Sequence, residues 1–264
     1  MSQNKSRDIE ALREKWDGRA NGYDEYYERF KGAVEHCVDW ELLKRHLPPN
    51  REARMLDAAG GTGRITLPLA KMGYSVTLCD ISPRMLEVAR QKLLREGFLD
   101  RVQISQCDIR ELPYPDESFD CALCWNGMLE AASELIRVTK KGGTVSMILV
   151  NRCRGAIDLF AEDPVSALEL VGSRSDYIYY GGERYRAVSP DEARRLFEAE
   201  GIRVLGTYAA CGWMNVLAVP KEIQDSRDWD KEFFAQATEM SLRLAEEACV
   251  QGMSQHLVVY GART

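Results

Sequence analysis

Three aspartates, Asp57, Asp80 and Asp108, stand where three successive strands of an α/β sheet are predicted to end. A glycine-rich turn follows the first of them directly. Ligands of open α/β sheets lie beyond the carboxyl ends of the strands. Three carboxylates at that edge can accept hydrogen bonds from one nucleoside and oppose a positive charge on it. The chemistry that these residues indicate is therefore the binding of a cationic nucleoside.

The turn after Asp57 distinguishes between two kinds of nucleoside ligand. A dinucleotide site holds a pyrophosphate at a helix N-terminus, and a carboxylate directly before the glycines would repel it. The dinucleotide spacing G-x-G-x-x-G, counted from Gly61, also puts Thr66 where the helix-packing glycine belongs. A ligand with an ammonium and a sulfonium group fits better. The sequence therefore predicts S-adenosyl-L-methionine as the cofactor.

The two later aspartates are predicted to bind different parts of the nucleoside. Asp80 has the spacing from the glycines at which an acid accepts hydrogen bonds from ribose hydroxyls. Asp108 could accept a hydrogen bond from the adenine amino group, with Ile81 and Ile109 on the faces of the ring. A single aspartate is more often a helix cap or a turn residue. Three at successive strand ends favour a binding site.

Residues from about 16 to 150 resemble the class I S-adenosylmethionine-dependent methyltransferases, of the methyltransferase type 11 kind. The resemblance rests on the acidic-glycine motif from Asp57 to Gly63, on Asp80 and Asp108, on 119–126 as the fourth strand, and on 137–143, whose Gly142 and Gly143 are expected before the fifth strand. It further implies that Arg19 pairs with the methionine carboxylate and that Tyr23 covers the site. Together these inferences predict a cofactor site made of Arg19, Tyr23, Asp57, Ala59, Gly60, Gly61, Gly63, Asp80, Ile81, Asp108, Ile109, Trp125 and Asn126.

Two departures from the family pattern concern the loops of the site. Ala59 stands where the family has the first glycine of the motif, which removes freedom at positive φ. Relatives usually carry a longer loop and a short helix after the fourth strand, whereas here 128–132 leads straight into 133–136. The loop that often borders the methyl acceptor is thus short.

The alternation of strand and helix patterns predicts an α/β fold. We expect a Rossmann-like, doubly wound, seven-stranded and mostly parallel sheet whose last strand, at 256–262, is antiparallel. The whole chain would be one methyltransferase domain. Its predicted parts are a helical cap (1–49), a cofactor-binding half (50–150) and a substrate-side half (151–264) with a helical insertion (209–255), which includes one long helix near 231–250.

The acceptor is expected to lie beside the strands that follow the cofactor half. Arginines there could hold a carboxylate through paired hydrogen bonds while aromatic rings exclude water. The predicted acceptor residues are Asn151, Arg152, Tyr180, Arg184, Tyr185 and Trp213. No Ser/His/Asp or metal-ligating pattern is found, so no catalytic residue and no metal site are assigned. The leaving sulfonium is already reactive, and alignment and desolvation can carry much of the barrier.

Three functions remain open at this point. The leading one is methyl transfer to a small-molecule acceptor in a capped pocket. The second is tRNA wobble-uridine methylation, because the order of elements in the C-terminal half resembles the bacterial tRNA carboxymethoxyuridine methyltransferases. The third is a non-catalytic S-adenosylmethionine-binding module, suggested by the missing catalytic pattern.

Composition indicates which partners and which compartment to expect for the protein. A formal net charge of -6 argues mildly against non-specific binding of nucleic acid, which depends on neutralising phosphates. No apolar stretch reaches membrane-spanning length, and the N-terminus reads as a charged helix rather than a signal peptide. We expect a cytoplasmic protein with no membrane partner. The oligomeric state is left open.

The eight cysteines predict free thiols, because their spacing matches neither a disulfide framework nor a metal site. Cys121 and Cys124 should face opposite sides of a buried strand. Thiol titration of the denatured, non-reduced protein should recover all eight. Recovery of fewer would contradict both the free-thiol prediction and the compartment inferred from it.

Overall fold

The computed structural model describes residues 2–172, 177–180, 183–210 and 219–264, with the side chains of 2–8, 126–127, 179–180 and 183–184 excepted. Within these ranges, no helix has both the length and the apolar character that crossing a membrane requires. Trp213 lies outside the described residues, as do the side chains of Asn126, Tyr180 and Arg184.

The sheet confirms the predicted fold. The seven strands expected from the sequence run in the order β3-β2-β1-β4-β5-β9-β8. The first five of these are parallel, and β9 is antiparallel to both of its neighbours, β5 and β8. A hairpin of β6 and β7 adds two strands, and β7 continues parallel to the last two residues of β5. The strands are β1 Arg54–Ala58, β2 Ser75–Asp80, β3 Val102–Gln106, β4 Phe119–Gly127, β5 Thr139–Asn151, β6 Tyr177–Tyr180, β7 Glu183–Val188, β8 Ile202–Ala210 and β9 His256–Arg263.

Helices cover both faces of the sheet, and the central strands β1 and β2 are buried on both sides apart from their first residues. Cys121 belongs to the apolar cluster on one face and Cys124 to the cluster on the other, as the strand period predicts. The helices are α1 Ser2–Arg19, α2 Phe30–Lys44, α3 Thr66–Lys71, α4 Pro83–Arg95, α5 Ala132–Val138, α6 Arg152–Leu159, α7 Pro164–Val171, α8 Pro190–Ala199, α9 Lys221–Gln224, α10 Lys231–Leu244 and α11 Ala248–Met253.

Two predicted boundaries are wrong. The single helix expected near 231–250 is two helices, because the Ala245 carbonyl accepts the N–H of Ala209 in β8 and Glu247 then has extended backbone. The fifth strand begins at Thr139 and includes both glycines that were placed before it. The link from β4 to α5 is truly short, with one 3₁₀ turn at Leu129–Ala131.

Phe30 joins the N-terminal helices to the helical segment before β9. Its side chain is fully buried and stacks on Phe233 with ring centroids 5.3 Å apart. The rings of Trp229 and Phe234 meet it edge-on at 5.8 and 6.0 Å. Its backbone N–H also donates to the Ser226 carbonyl at 2.8 Å. The two helical regions therefore form one packed unit on the sheet.

Replacing Phe30 with alanine should lower the free energy of unfolding by about 3–5 kcal/mol, because it empties a fully buried aromatic site. Phe160 is 58% exposed, and Phe160→Ala is the matched control, expected to change stability by less than about 0.5 kcal/mol. Urea denaturation followed by circular dichroism measures both. Equal effects of the two substitutions would contradict this account of the cap.

Candidate functional site

A cleft opens at the carboxyl ends of β1, β2 and β3. Seven of the predicted cofactor residues line it: Tyr23, Ala59, Gly61, Asp80, Ile81, Asp108 and Ile109. Sequence reasoning missed five others that complete the wall: Leu12, Trp16, Met85, Cys107 and Met128. Three of these had a local signal: Cys107 stands directly before the third aspartate, Trp16 begins the stretch that resembles the family, and Met128 begins the short link after the fourth strand.

Asp80 binds the backbone on two sides of the cleft. Its Oδ2 accepts the backbone N–H of Gly61 at 3.0 Å, and its Oδ1 accepts that of Ser82 at 2.9 Å. Burial raises the pKa of the Asp80 carboxyl to about 6, although these two hydrogen bonds favour the charged form. The ionised carboxylate has further acceptor positions for hydroxyl groups of a ligand.

The glycine turn between β1 and α3 brings the backbone close to the cleft. A Cβ on Gly60 would lie 2.5 Å from the Asp57 carboxyl carbon, so only glycine fits there. Gly61 has φ 55°, and Ala59 has φ 57°, in the left-handed region that is costly for a residue with a Cβ. The turn thus has the backbone that the family's glycine motif implies, with strain at the one position where alanine replaces glycine.

Asp57 does not line the cleft. It is buried beneath the turn, where its Oδ2 accepts the Thr66 hydroxyl at 2.6 Å, and burial raises its pKa. Gly60 and Gly63 are likewise absent from the residues that line the cleft. The hydrogen bond of Asp57 holds the turn against α3, and its contact with the cofactor stays a prediction.

Asp108 lines the cleft, and an arginine two residues later fixes it. Both of its oxygens accept hydrogen bonds from the Arg110 guanidinium, at 2.9 Å from Nε and 2.6 Å from Nη2. The carboxylate is also bound to the Arg110 backbone N–H at 2.9 Å. The acid is therefore held in one orientation beside Ile109, which is the place predicted for the adenine ring.

The N-terminal segment is fastened over the cleft by two aspartates. Asp17 accepts the Ser82 hydroxyl at 2.6 Å and so ties α1 to the start of α4. Asp24 accepts the Thr62 hydroxyl at 2.6 Å and the Lys92 ammonium at 2.7 Å. These contacts bring Trp16 and Tyr23 into the wall.

Arg19 is absent from that wall. Its side chain is exposed, and its guanidinium carbon lies 5.3 Å from the Trp16 ring centroid. The structure therefore does not place it where the resemblance implies. Trp125, at the end of β4, is half-buried and donates from Nε1 to the Ser146 hydroxyl at 3.0 Å, outside the cleft wall.

Two predicted acceptor residues serve the fold. Asn151 is fully buried, caps α6 through the Cys153 N–H and donates to the Gln251 carbonyl at 2.7 Å. Arg152 is buried as well, with its Nη2 3.1 Å from Glu192 of α8. Tyr185 is half-buried against the small apolar cluster under the hairpin. Tyr180, Arg184 and Trp213 remain predictions, because their side chains are not described.

Comparison with known proteins adds sequence relatives to this geometry. A methyltransferase-domain family matches residues 55–143. The chain is similar to the ubiquinone/menaquinone biosynthesis C-methyltransferase of Teredinibacter turnerae, at 30% identity over 178 residues, 62% of this chain and 70% of that protein. The corresponding Pectobacterium atrosepticum enzyme is 36% identical over 107 residues, 37% of this chain and 43% of that protein. The chain thus spans less than half of the second relative's length.

Solved structures share the fold at low identity. Geranyl diphosphate C-methyltransferase from Streptomyces coelicolor, solved with Mg²⁺, geranyl diphosphate and S-adenosyl-L-homocysteine, gives a TM-score of 0.55 at 14% identity, over 86% of this chain and 79% of that one. A putative methyltransferase solved with the Haloferax volcanii Trm112 activator gives 0.58 at 18% identity, over 94% and 96%. Both likenesses concern the fold.

Asp80→Asn should weaken binding of S-adenosyl-L-homocysteine by about 1.5–3 kcal/mol, the range for a lost hydrogen bond to a charged group. In the unsubstituted protein, affinity should fall as the pH drops through about 6, because protons then compete with the ligand for the carboxylate. The variant should lack this step. Asp116→Asn, at a side chain 72% exposed and outside the cleft wall, is the control. Calorimetric titration across pH decides, and a variant indistinguishable from the control would refute the role of Asp80.

Proposed function

Because the chain belongs to the class I S-adenosyl-L-methionine-dependent methyltransferase family, we propose that it moves the methyl group of this cofactor to a carbon atom of a small-molecule acceptor. The observation that carries the proposal is the cleft wall, in which Asp80, Ile81, Asp108 and Ile109 offer acceptors and apolar faces suited to an adenosyl group. The similarity to C-methyltransferases supports carbon as the accepting atom.

The cleft fits the cofactor on grounds of its own chemistry. A buried carboxylate with a pKa raised to about 6 gains from hydroxyl partners when it is ionised, and a ribose carries such hydroxyls. The cofactor supplies a methyl group on a positively charged sulfur, which leaves as a neutral thioether. Asp57 is buried beneath the turn and Asp80 accepts the Gly61 N–H, and carboxylates in these positions oppose a phosphate.

The residues of the wall contribute alignment and the exclusion of water. Asp80 and the glycine turn set the depth of the nucleoside, while Trp16 and Tyr23 close the cleft from the N-terminal side. Burial raises the pKa of Tyr23, which therefore stays a neutral phenol in this wall. Such desolvation raises the reactivity of the acceptor toward a cationic methyl donor. No general base is assigned to the reaction.

The accepting molecule is proposed to approach from the ends of β4 and β5. Met128, just after β4, is part of the cleft wall, and Trp125 lies at the same end of that strand. The short link to α5 leaves little chain on this side of the cleft. The predicted residues Tyr180, Arg184 and Trp213 remain candidates for contact with the acceptor.

The first test uses S-adenosylmethionine labelled on the methyl group with a panel of quinones and their reduced quinols. The expected result is label that is bound through carbon, identified by NMR of the product, and lost in Asp80→Asn. Transfer to oxygen or nitrogen would refute the carbon assignment. Binding of the cofactor with no transfer to any acceptor, tRNA included, would favour the non-catalytic module.

A salt series separates the small-molecule proposal from tRNA methylation. If cellular tRNA were the acceptor, its affinity would fall steeply with salt through release of counterions from the phosphates. We expect weak tRNA binding and no methyl incorporation into tRNA at any salt concentration, measured by filter binding and scintillation counting. Tight, salt-sensitive binding with incorporation would overturn the small-molecule proposal.

A further inference from the structure

Two cysteines of neighbouring strands lie at the wall of the cofactor cleft, one lining it and one behind it. Cys79 is next to the last residue of β2, and Cys107 follows β3 directly. In the parallel register Cys79 pairs with Ser105, and the period of two puts Cys107 on the same face of the sheet as Ser105. The Cys107 N–H donates to the Asp80 carbonyl at 3.1 Å and extends the pairing to this residue.

The two thiols differ in exposure. Cys79 is fully buried, whereas Cys107 is half-buried and lines the cleft. Both pack in the same apolar cluster. The neighbouring Cys79 thiol lowers the pKa of Cys107, while burial and the carboxylates of Asp108 and Asp80 act against it. The thiolate therefore forms first on the sulfur that the cleft exposes.

Apart from these two carboxylates, the groups that act on the pair are the uncharged hydroxyls of Ser105 and Tyr114. The hydroxyls of Ser105 and Tyr114 lie 2.6 Å apart, and burial raises the pKa of Tyr114. Neither competes with Cys79 for a disulfide. The arrangement is an accessible thiol with a second thiol behind it, which is the arrangement in which an oxidised cysteine is resolved by its neighbour.

We propose that Cys107 and Cys79 form an oxidisable dithiol through which a hydroperoxide reversibly closes the cofactor cleft. The Cys107 thiolate attacks one peroxide oxygen, so that a sulfur–oxygen bond forms and the oxygen–oxygen bond breaks. For hydrogen peroxide the departing hydroxide becomes water. The Cys79 sulfur then displaces the second hydroxide, which takes the Cys79 proton, and the disulfide forms. Two thiols are oxidised and one peroxide is reduced to two water molecules.

Formation of the disulfide would weaken cofactor binding by moving part of the cleft wall. With parallel strands about 4.8 Å apart and a rise of about 3.3 Å per residue, Cα atoms two register positions apart are separated by about 8 Å, beyond the usual span of a disulfide of about 4.4–6.8 Å. The bond therefore draws the segment after β3 toward β2. Asp108 and Ile109 lie in that segment and form the wall. Conversely, a nucleoside in the cleft covers Cys107 and protects it.

The test treats the reduced full chain with hydrogen peroxide, blocks the remaining thiols and maps the peptides by mass spectrometry. Titration with S-adenosyl-L-homocysteine gives the affinity in parallel. We expect a Cys79–Cys107 disulfide and an affinity lowered by about tenfold, which is a loss of about 1.4 kcal/mol. Dithiothreitol should restore both. This readout needs no methyl acceptor, so its failure is distinguishable from failure of the proposed reaction.

Two further experiments test the roles of the two cysteines. One measures protection of Cys107 by the cofactor product, and the other uses a variant without the second cysteine. Excess S-adenosyl-L-homocysteine should slow the alkylation of Cys107 but leave that of Cys153, which is exposed and away from the cleft, unchanged. In Cys79→Ser, oxidation should stop at a sulfenic acid on Cys107 that dimedone traps. The proposal is overturned if peroxide consumes Cys153 while Cys79 and Cys107 stay reduced, or if the disulfide forms without loss of affinity. Should Cys79→Ser not fold, the mapping of the unsubstituted chain still decides.

Discussion

The cleft depends on one buried carboxylate that holds two backbone N–H groups. Asp80 ends β2, and through Gly61 and Ser82 it fixes the turn after β1 and the start of α4 at once. Removing a charge from water is costly, and the raised pKa of this acid shows that two hydrogen bonds do not fully offset the cost. A ligand with hydroxyl groups supplies the remaining partners. The site is therefore completed by what binds it.

The N-terminal segment repeats this arrangement from the other side of the cleft. Asp17 and Asp24 each reach from that segment to a hydroxyl beside the cofactor turn, on Ser82 and Thr62. Phe30, a few residues later, anchors the same segment in the apolar unit before β9. The cover thus has polar attachments at the cleft and apolar attachments away from it. The polar contacts therefore position the N-terminal segment over the cleft, while the apolar contacts of Phe30 contribute to its stability elsewhere.

Much of the fold and of the nucleoside wall could be predicted from the sequence because the signals are local. Strand patterns, the glycine turn and the acids at strand ends each occupy a few consecutive residues. Leu12 and Met85 could not be predicted as wall residues, because only the folded arrangement brings them to the cleft. The ion pair of Arg152 could not be predicted for a related reason: its partner, Glu192, belongs to a helix that follows the hairpin. Charge in the sequence indicates the need for a partner but not which one is used.

The position of the last strand has a consequence for synthesis of the protein. β9 lies between β5 and β8, and it pairs Gly261 with Val145 and with Val204. During translation, β5 and β8 leave the ribosome well before the strand that separates them. Contacts between distant parts of a chain form slowly, and unpaired strand edges favour association with other chains. Until β9 is synthesised, the facing edges of β5 and β8 are therefore unpaired. We expect this to be the stage at which the nascent chain most needs a chaperone.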